Sequence, residues 1–193
     1  MTEKQDLPML PFASAADWES WLAENHATSQ GLWIKIAKKG RGIPTVTHAE
    51  ALDAALCYGW IDGQRDALDE DFFLQRFTPR RARSRWSKIN RDKVMRLIEQ
   101  GAMQPAGLRE IERAKADGRW DAAYDSQRTA EIPEDLQRAL DENEAAREFF
   151  AMLRGQNRYA VLYRIQDAKR PGTRAKRIEQ FVAMLAKGKT IYP

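Results

Sequence analysis

WIDGQRDALDEDFFLQRFT, residues 60–78, consists of two runs of β-forming residues around a polar centre. Trp60 and Ile61 lead the first run, Phe72, Phe73 and Phe77 populate the second, and Asp69 and Glu70 between them favour a turn, so the stretch predicts an antiparallel hairpin. Beyond it every apolar pattern has helical period. The expected fold class is therefore α+β: an N-terminal α-β-α-β-β unit with a small antiparallel hairpin-containing sheet, followed by a mainly helical C-terminal half.

Upstream of the hairpin, Ser14 can cap a helix through DWESWLAENH, with Trp18, Trp21 and Leu22 at helical spacing. LWIKIAKK then alternates, Leu32, Ile34 and Ile36 on one face and Trp33 and Lys35 on the other, the period of a half-buried strand. Thr47 and Glu50 sit three apart as a capping box for a helix reaching about Tyr58, and Gly59 suits its C′ position. Downstream, Ser87 can cap a helix carrying Val94 and Leu97. Pro105 suits the first turn of the next, and Pro133 opens a short one with Leu136 and Leu140. Further helices are marked by Phe149, Phe150 and Leu153, by Val161, Leu162 and Ile165, and by Ile178, Phe181, Val182 and Leu185. The expected organisation is an N-terminal region over 1–119, a linker over 120–132 and a helical region over 133–193. The two regions can also pack as one globular unit.

At 193 residues with 43% hydrophobic content the chain can bury a core. The lone Cys57 cannot form an internal disulfide, and the N-terminal stretch shows no basic-then-apolar export pattern, so the expected location is cytoplasmic, without a transmembrane segment. Net charge is only +4, but it is uneven. Residues 76–96 hold 9 basic and 1 acidic side chains, and residues 154–193 hold 10 and 2. Positive field is thus concentrated in two segments, where anions are attracted.

No metal-ligand spacing, Walker-type loop, dinucleotide fingerprint or nucleophile elbow occurs around His26, His48 or Cys57, so neither cofactor nor metal is expected and no catalytic residue is assigned. A hairpin tip centred on Asp69 sets Asp62 opposite Arg76 and Gln64 opposite Leu74. Trp60, Asp62, Gln64, Arg76 and Thr78 would then line one face, with the carboxylate orienting the guanidinium toward an anionic or carbonyl ligand. A structural Asp–Arg pair explains the same pattern. Arg80 and Arg81 follow, then Trp86 and, just inside the next helix, Asn90; basic groups beside an aromatic and a positive helix end are components of phosphate and single-stranded nucleic-acid sites. A solvated loop accounts for them equally simply. The second basic segment, AKRPGTRAKR, offers Thr173 as a cap, with Arg174 and Arg177 one turn apart.

GLWIKIAKKG, THAEALDAALCYGWIDGQ, RFTPRRARSRWSKIN and QNRYAVLYRIQDAKRPGTRAKRIEQFVAML, in this order, resemble the YdeI/OmpD-associated, or bacteriocin-protection, family of bacterial proteins. That resemblance implies a role in tolerance of bacteriocins or antimicrobial peptides, a form of stress response, and brings no catalytic residues or cofactor. One branch is associated with a periplasmic porin contact, which the absence of an export pattern here does not favour. The leading expectation is noncatalytic binding of an anionic small molecule or phosphate-bearing partner. Nucleic-acid binding is one alternative, and an enzyme of unrecognised type acting on a small anionic substrate, with Asp62 as base, is another.

Overall fold

The computed structural model describes residues 7–193; residues 1–6, on which the reading of a missing export pattern partly rests, lie outside the described residues. By contact density the chain divides into two units, one of the chain up to Trp86 with Asn90–Ala122, the other of Ser87–Ile89 with Ala123–Pro193. No helix among the described residues is long and apolar enough to cross a membrane. The fold is α+β.

The first unit is built on a four-stranded sheet of β1 (Met9–Pro11), β2 (Leu32–Ala37), β3 (Trp60–Ala67) and β4 (Phe72–Pro79), in the order β1-β2-β4-β3. β1 runs parallel to β2, and the other neighbours are antiparallel. The expected hairpin is present, as is the alternation in β2, whose Leu32, Ile34 and Ile36 are buried while Trp33 and Lys35 are half-buried. β1 was not expected. Its three residues carry no period of their own, and only pairing with β2 makes them a strand.

Helices α1 (Ala15–Asn25) and α2 (His48–Cys57) cover one side of this sheet. Ser14 caps α1 by accepting from the Asp17 amide, and Thr47 with Glu50 closes a complete capping box on α2. The Thr47 hydroxyl and amide both donate to the Glu50 carboxylate, which holds its pKa below the usual range. Trp18 of α1 is fully buried, its ring 5.6 Å from Phe77 and 6.2 Å from Trp60. Gly59, at φ +77°, turns the chain from α2 into β3, and its carbonyl accepts from the Arg80 amide. Helices α3 (Lys88–Glu99) and α4 (Pro105–Ala116) complete the unit, α3 through Lys93 to Asp53 at 2.5 Å and α4 through Gly107 against the end of α2.

The second unit packs α5 (Glu134–Asp141), α6 (Glu144–Met152), α7 (Gly155–Asp167) and α8 (Pro171–Leu185) around Leu136, Leu140, Phe150, Val161, Ile165, Ile178 and Leu185. Thr173 does not cap α8. The helix starts earlier, with Arg170 at the cap and Pro171 in the first turn, because proline fixes the backbone angle a helix start needs and has no amide to satisfy. Arg174, one turn in, reaches across to Asp135 of α5 with a two-pronged contact of 2.5 and 2.9 Å. Hydrogen bonding from Arg174 holds the Asp135 carboxyl below the ordinary 3.8. A depressed carboxylate adds stability above its unfolded pKa and loses it as pH falls through the folded one. Asp135→Asn is therefore expected to cost about 1 kcal/mol at pH 7, the pair being about one-third exposed, and progressively less as pH falls through the depressed carboxyl pKa. Urea denaturation at pH 7 and at acid pH checks this.

Candidate functional site at the hairpin bulge

The hairpin register differs from the regular one that its sequence suggests. Asp62 stands opposite Phe77, and the next pair is Arg65 with Gln75, so Gly63 and Gln64 together oppose Arg76 in a two-for-one bulge. Gln75, only 3% exposed, stabilises this irregularity, because its side-chain amide donates to the carbonyls of Gly63 at 3.0 Å and Gln64 at 3.2 Å. Those carbonyls have lost their ladder partners, and a buried carbonyl without a donor is costly.

The bulge separates the residues that a regular hairpin would group. Trp60 and Asp62 stand on the side of Phe77, toward α1 and α2. Trp60 is buried and donates its indole N–H to the His26 carbonyl at 3.1 Å. Asp62 meets His48 Nε2 at 3.1 Å instead of Arg76. His48 was missed as a partner: it lies 14 residues away, and only the packing of α2 over β3 brings it close. Arg76, Thr78 and Gln64 occupy the opposite side of the sheet. Asp62 and Arg76 therefore cannot act on one small substrate from a common face.

On that opposite side the methylenes of Arg76 run over Gly63, with Cβ and Cδ each 3.8 Å from where a glycine side chain would begin. Arg76 Nη1 donates weakly to Gln64 Oε1 at 3.4 Å. Its Nε is buried without a hydrogen-bond partner, and no carboxylate among the described residues lies within ion-pair distance of it. Trp33 is its cross-strand neighbour on β2, and Lys35 is the next residue on the same face, its ammonium 3.9 Å over the Phe72 ring. Asp66, opposite Leu74, is a carboxylate in register on this face. The arrangement is a guanidinium whose terminal nitrogens make one weak contact, a second cation, a carboxylate and two aromatic rings on one sheet surface.

The arginines that follow are used differently. Arg80, 6% exposed, stacks 3.6 Å over Trp86 and donates to the Arg85 carbonyl at 3.1 Å. Trp86 is buried, edge-on to Trp120 with 5.1 Å between ring centres, and Arg119 clamps the same loop through the Ser84 carbonyl. Arg80 and Trp86 therefore belong to the packing of this loop. Arg81 is exposed, its backbone amide donating to Ser84 Oγ, and Asn90 is half-buried in the first turn of α3. In the second unit, Arg174 is held by Asp135 and the Ile165 carbonyl, and Arg177 donates to the Arg164 carbonyl. Cys57, buried at the end of α2, has its thiol pushed up to about 11, first by burial and then by Glu19 and Asp53, which keeps it protonated and inert. No cluster of three or more metal-ligating side chains occurs among the described residues.

Residues 10–110, more than half of the chain, match a family model described as a domain of unknown function (DUF8412). Residues 129–188 match the model described as bacteriocin-protection, YdeI or OmpD-associated. The first match falls within the sheet-containing unit except for Ser87–Ile89, and the second falls within the helical unit. No curated protein and no solved structure is similar enough to match.

Proposed function

The chain belongs to the DUF8412 family and carries a bacteriocin-protection segment in its helical unit, and from that premise we propose a noncatalytic protein of bacteriocin-protection type that holds an anionic partner on the open side of its sheet. The observation that supports this most directly is Arg76: a guanidinium with a buried, unbonded Nε and no acidic partner, next to Lys35 on the same face. Apart from one weak contact of Nη1 with Gln64, the terminal guanidinium nitrogens of Arg76 have no protein acceptor among the described residues and are left to bond a phosphate or carboxylate. Gln64 and the Thr78 hydroxyl supply neutral hydrogen-bonding groups beside it.

Isothermal titration with inorganic phosphate, nucleoside phosphates and a short single-stranded oligonucleotide tests this. Arg76→Ala is expected to weaken binding at least tenfold, since a charge-assisted hydrogen bond contributes about 1.5–3 kcal/mol. Arg76→Lys is expected to restore part of the loss, because charge returns but the fork does not. Unchanged affinity in both variants would remove the site.

A second reading, single-stranded nucleic acid, draws on Trp33 and Phe72 beside the two cations, since bases stack on such rings. It requires the oligonucleotide to outcompete the mononucleotide and its affinity to fall steeply between 50 and 200 mM salt. A flat salt response eliminates it.

A further inference from the structure

We infer that the helical unit has an anion site of its own, separate from the hairpin bulge, built for a small amphiphile: a carboxylate joined to a short apolar chain or ring. A pocket of about 530 Å³ opens at the junction of α6 and α7, of a size usual for small-molecule sites. Its floor is apolar, formed by Ile132, Leu140 and Phe150, and the latter two are almost completely buried members of the unit's core. Its rim carries three guanidiniums, Arg147, Arg154 and Arg158, and no carboxylate lines it.

The three charges are fixed largely by neutral groups. Arg158 lies 4.6 Å over the Phe150 ring and donates to the Phe150 carbonyl at 3.4 Å. Arg154 donates to the carbonyls of Ala151 and Leu153, closing the end of α6. Carbonyls hold a guanidinium in place without cancelling its charge. Only Arg147 has an acidic neighbour, Glu144, at 3.8 Å and largely exposed, a contact of little energy. The start of α7 adds to the field. Its cap position is Arg154 itself, which has no acceptor to offer, so no side chain satisfies the first amides of the helix at its positive end.

Ligand chemistry follows from both halves of the pocket. A bare anion would leave the apolar floor wet, and a neutral hydrocarbon would not use the guanidiniums. The neighbouring groove between α5 and α8, about 680 Å³, is a contrast within the same unit. It is similarly apolar, but Asp135, Glu142 and Glu179 face a single Arg174 there, so an anion is not drawn to it.

Titration of the whole protein with octanoate, acetate and octan-1-ol, followed by calorimetry and by amide NMR shifts, tests the site. Octanoate is expected to bind at least tenfold more tightly than either control, and to shift the amides of Phe150 and Gly155. The double variant Arg147→Ala with Arg154→Ala is expected to weaken octanoate at least tenfold while leaving phosphate binding at the hairpin unchanged. Arg76→Ala should do the reverse, so failure of one site is distinguishable from failure of the other. Should the double variant not fold, the NMR shifts of the unaltered protein decide. Shifts elsewhere only, equal binding of octan-1-ol, or binding to phosphatidylglycerol vesicles without binding of free octanoate would each overturn the assignment.

Discussion

Trp18→Ala is expected to destabilise the sheet-containing unit by about 4 kcal/mol, within the range for deleting a large buried aromatic. The ring is fully buried, with centres of Phe12, Trp21, Phe77 and Trp60 at 5.1, 5.4, 5.6 and 6.2 Å. It joins α1 to both strands of the hairpin, and its indole N–H donates to the Ala51 carbonyl of α2 at 3.0 Å. Removal leaves a cavity and takes away the second donor to the Ala51 carbonyl, which keeps its bond within α2. Because total stabilities run to about 5–15 kcal/mol, the variant should lie near its unfolding threshold. Trp18→Phe separates the two contributions: it keeps most of the packing and loses the hydrogen bond, which is expected to cost about 0.5–1.5 kcal/mol. Urea denaturation followed by far-UV circular dichroism measures both. A loss under about 1 kcal/mol for alanine would mean that this aromatic cluster does not hold the unit together. Phe77 adjoins Arg76 in β4, so the alanine variant should also lose anion binding at the bulge, and Trp18→Phe should keep it.

Gly107→Val should be nearly as damaging, at about 3 kcal/mol or more. Gly107 lies inside α4, where any residue except proline would normally be better for the helix by up to about 1 kcal/mol. Here a side chain would begin within steric overlap of the Cys57 carbonyl oxygen, 2.8 Å from its carbonyl carbon and 2.7 Å from the Met103 methyl. Met103 can swing away, but the backbone at the end of α2 cannot do so without disturbing Gly59 and the entry to β3. Overpacking of this kind costs about 1–3 kcal/mol for the first extra atoms and more for a branched side chain. Gly107→Ala is the informative partner variant. A net loss of about 1–2 kcal/mol means that the clash outweighs the helix gain. A net gain would show that α2 and α4 are not held this closely.

Much of the architecture was legible because it depends on local chemistry. The Ser14 cap, the Thr47–Glu50 box, the turn at Gly59 and the alternation of β2 are each decided within a few residues, and each appears where the pattern puts it. β1 was illegible for the opposite reason: three residues with no period become a strand only when β2 pairs with them. The candidate site was legible as a region and not as a geometry. Arginine density and the polar hairpin pointed to residues near Arg76, but Arg80 and Trp86, equally prominent in the sequence, pack on each other. The pocket at the α6–α7 junction left only one trace in the sequence, the basic excess after residue 153, because its apolar floor is assembled from α5, α6 and the segment before them.

The sequence by itself determined the α+β class, the hairpin and the starts of α1 and α2, since amide capping and side-chain periodicity act over one or two turns. Only the tertiary structure decided which faces those elements show. Gln75 reaching the carbonyls of Gly63 and Gln64 stabilises a bulge that no local preference demands, and a one-residue shift in register carries a strand's side chains through the sheet. Asp62 thereby meets His48 beneath the helices, and Arg76 is left on the open side with Lys35, free of the acid that its sequence neighbourhood seemed to offer.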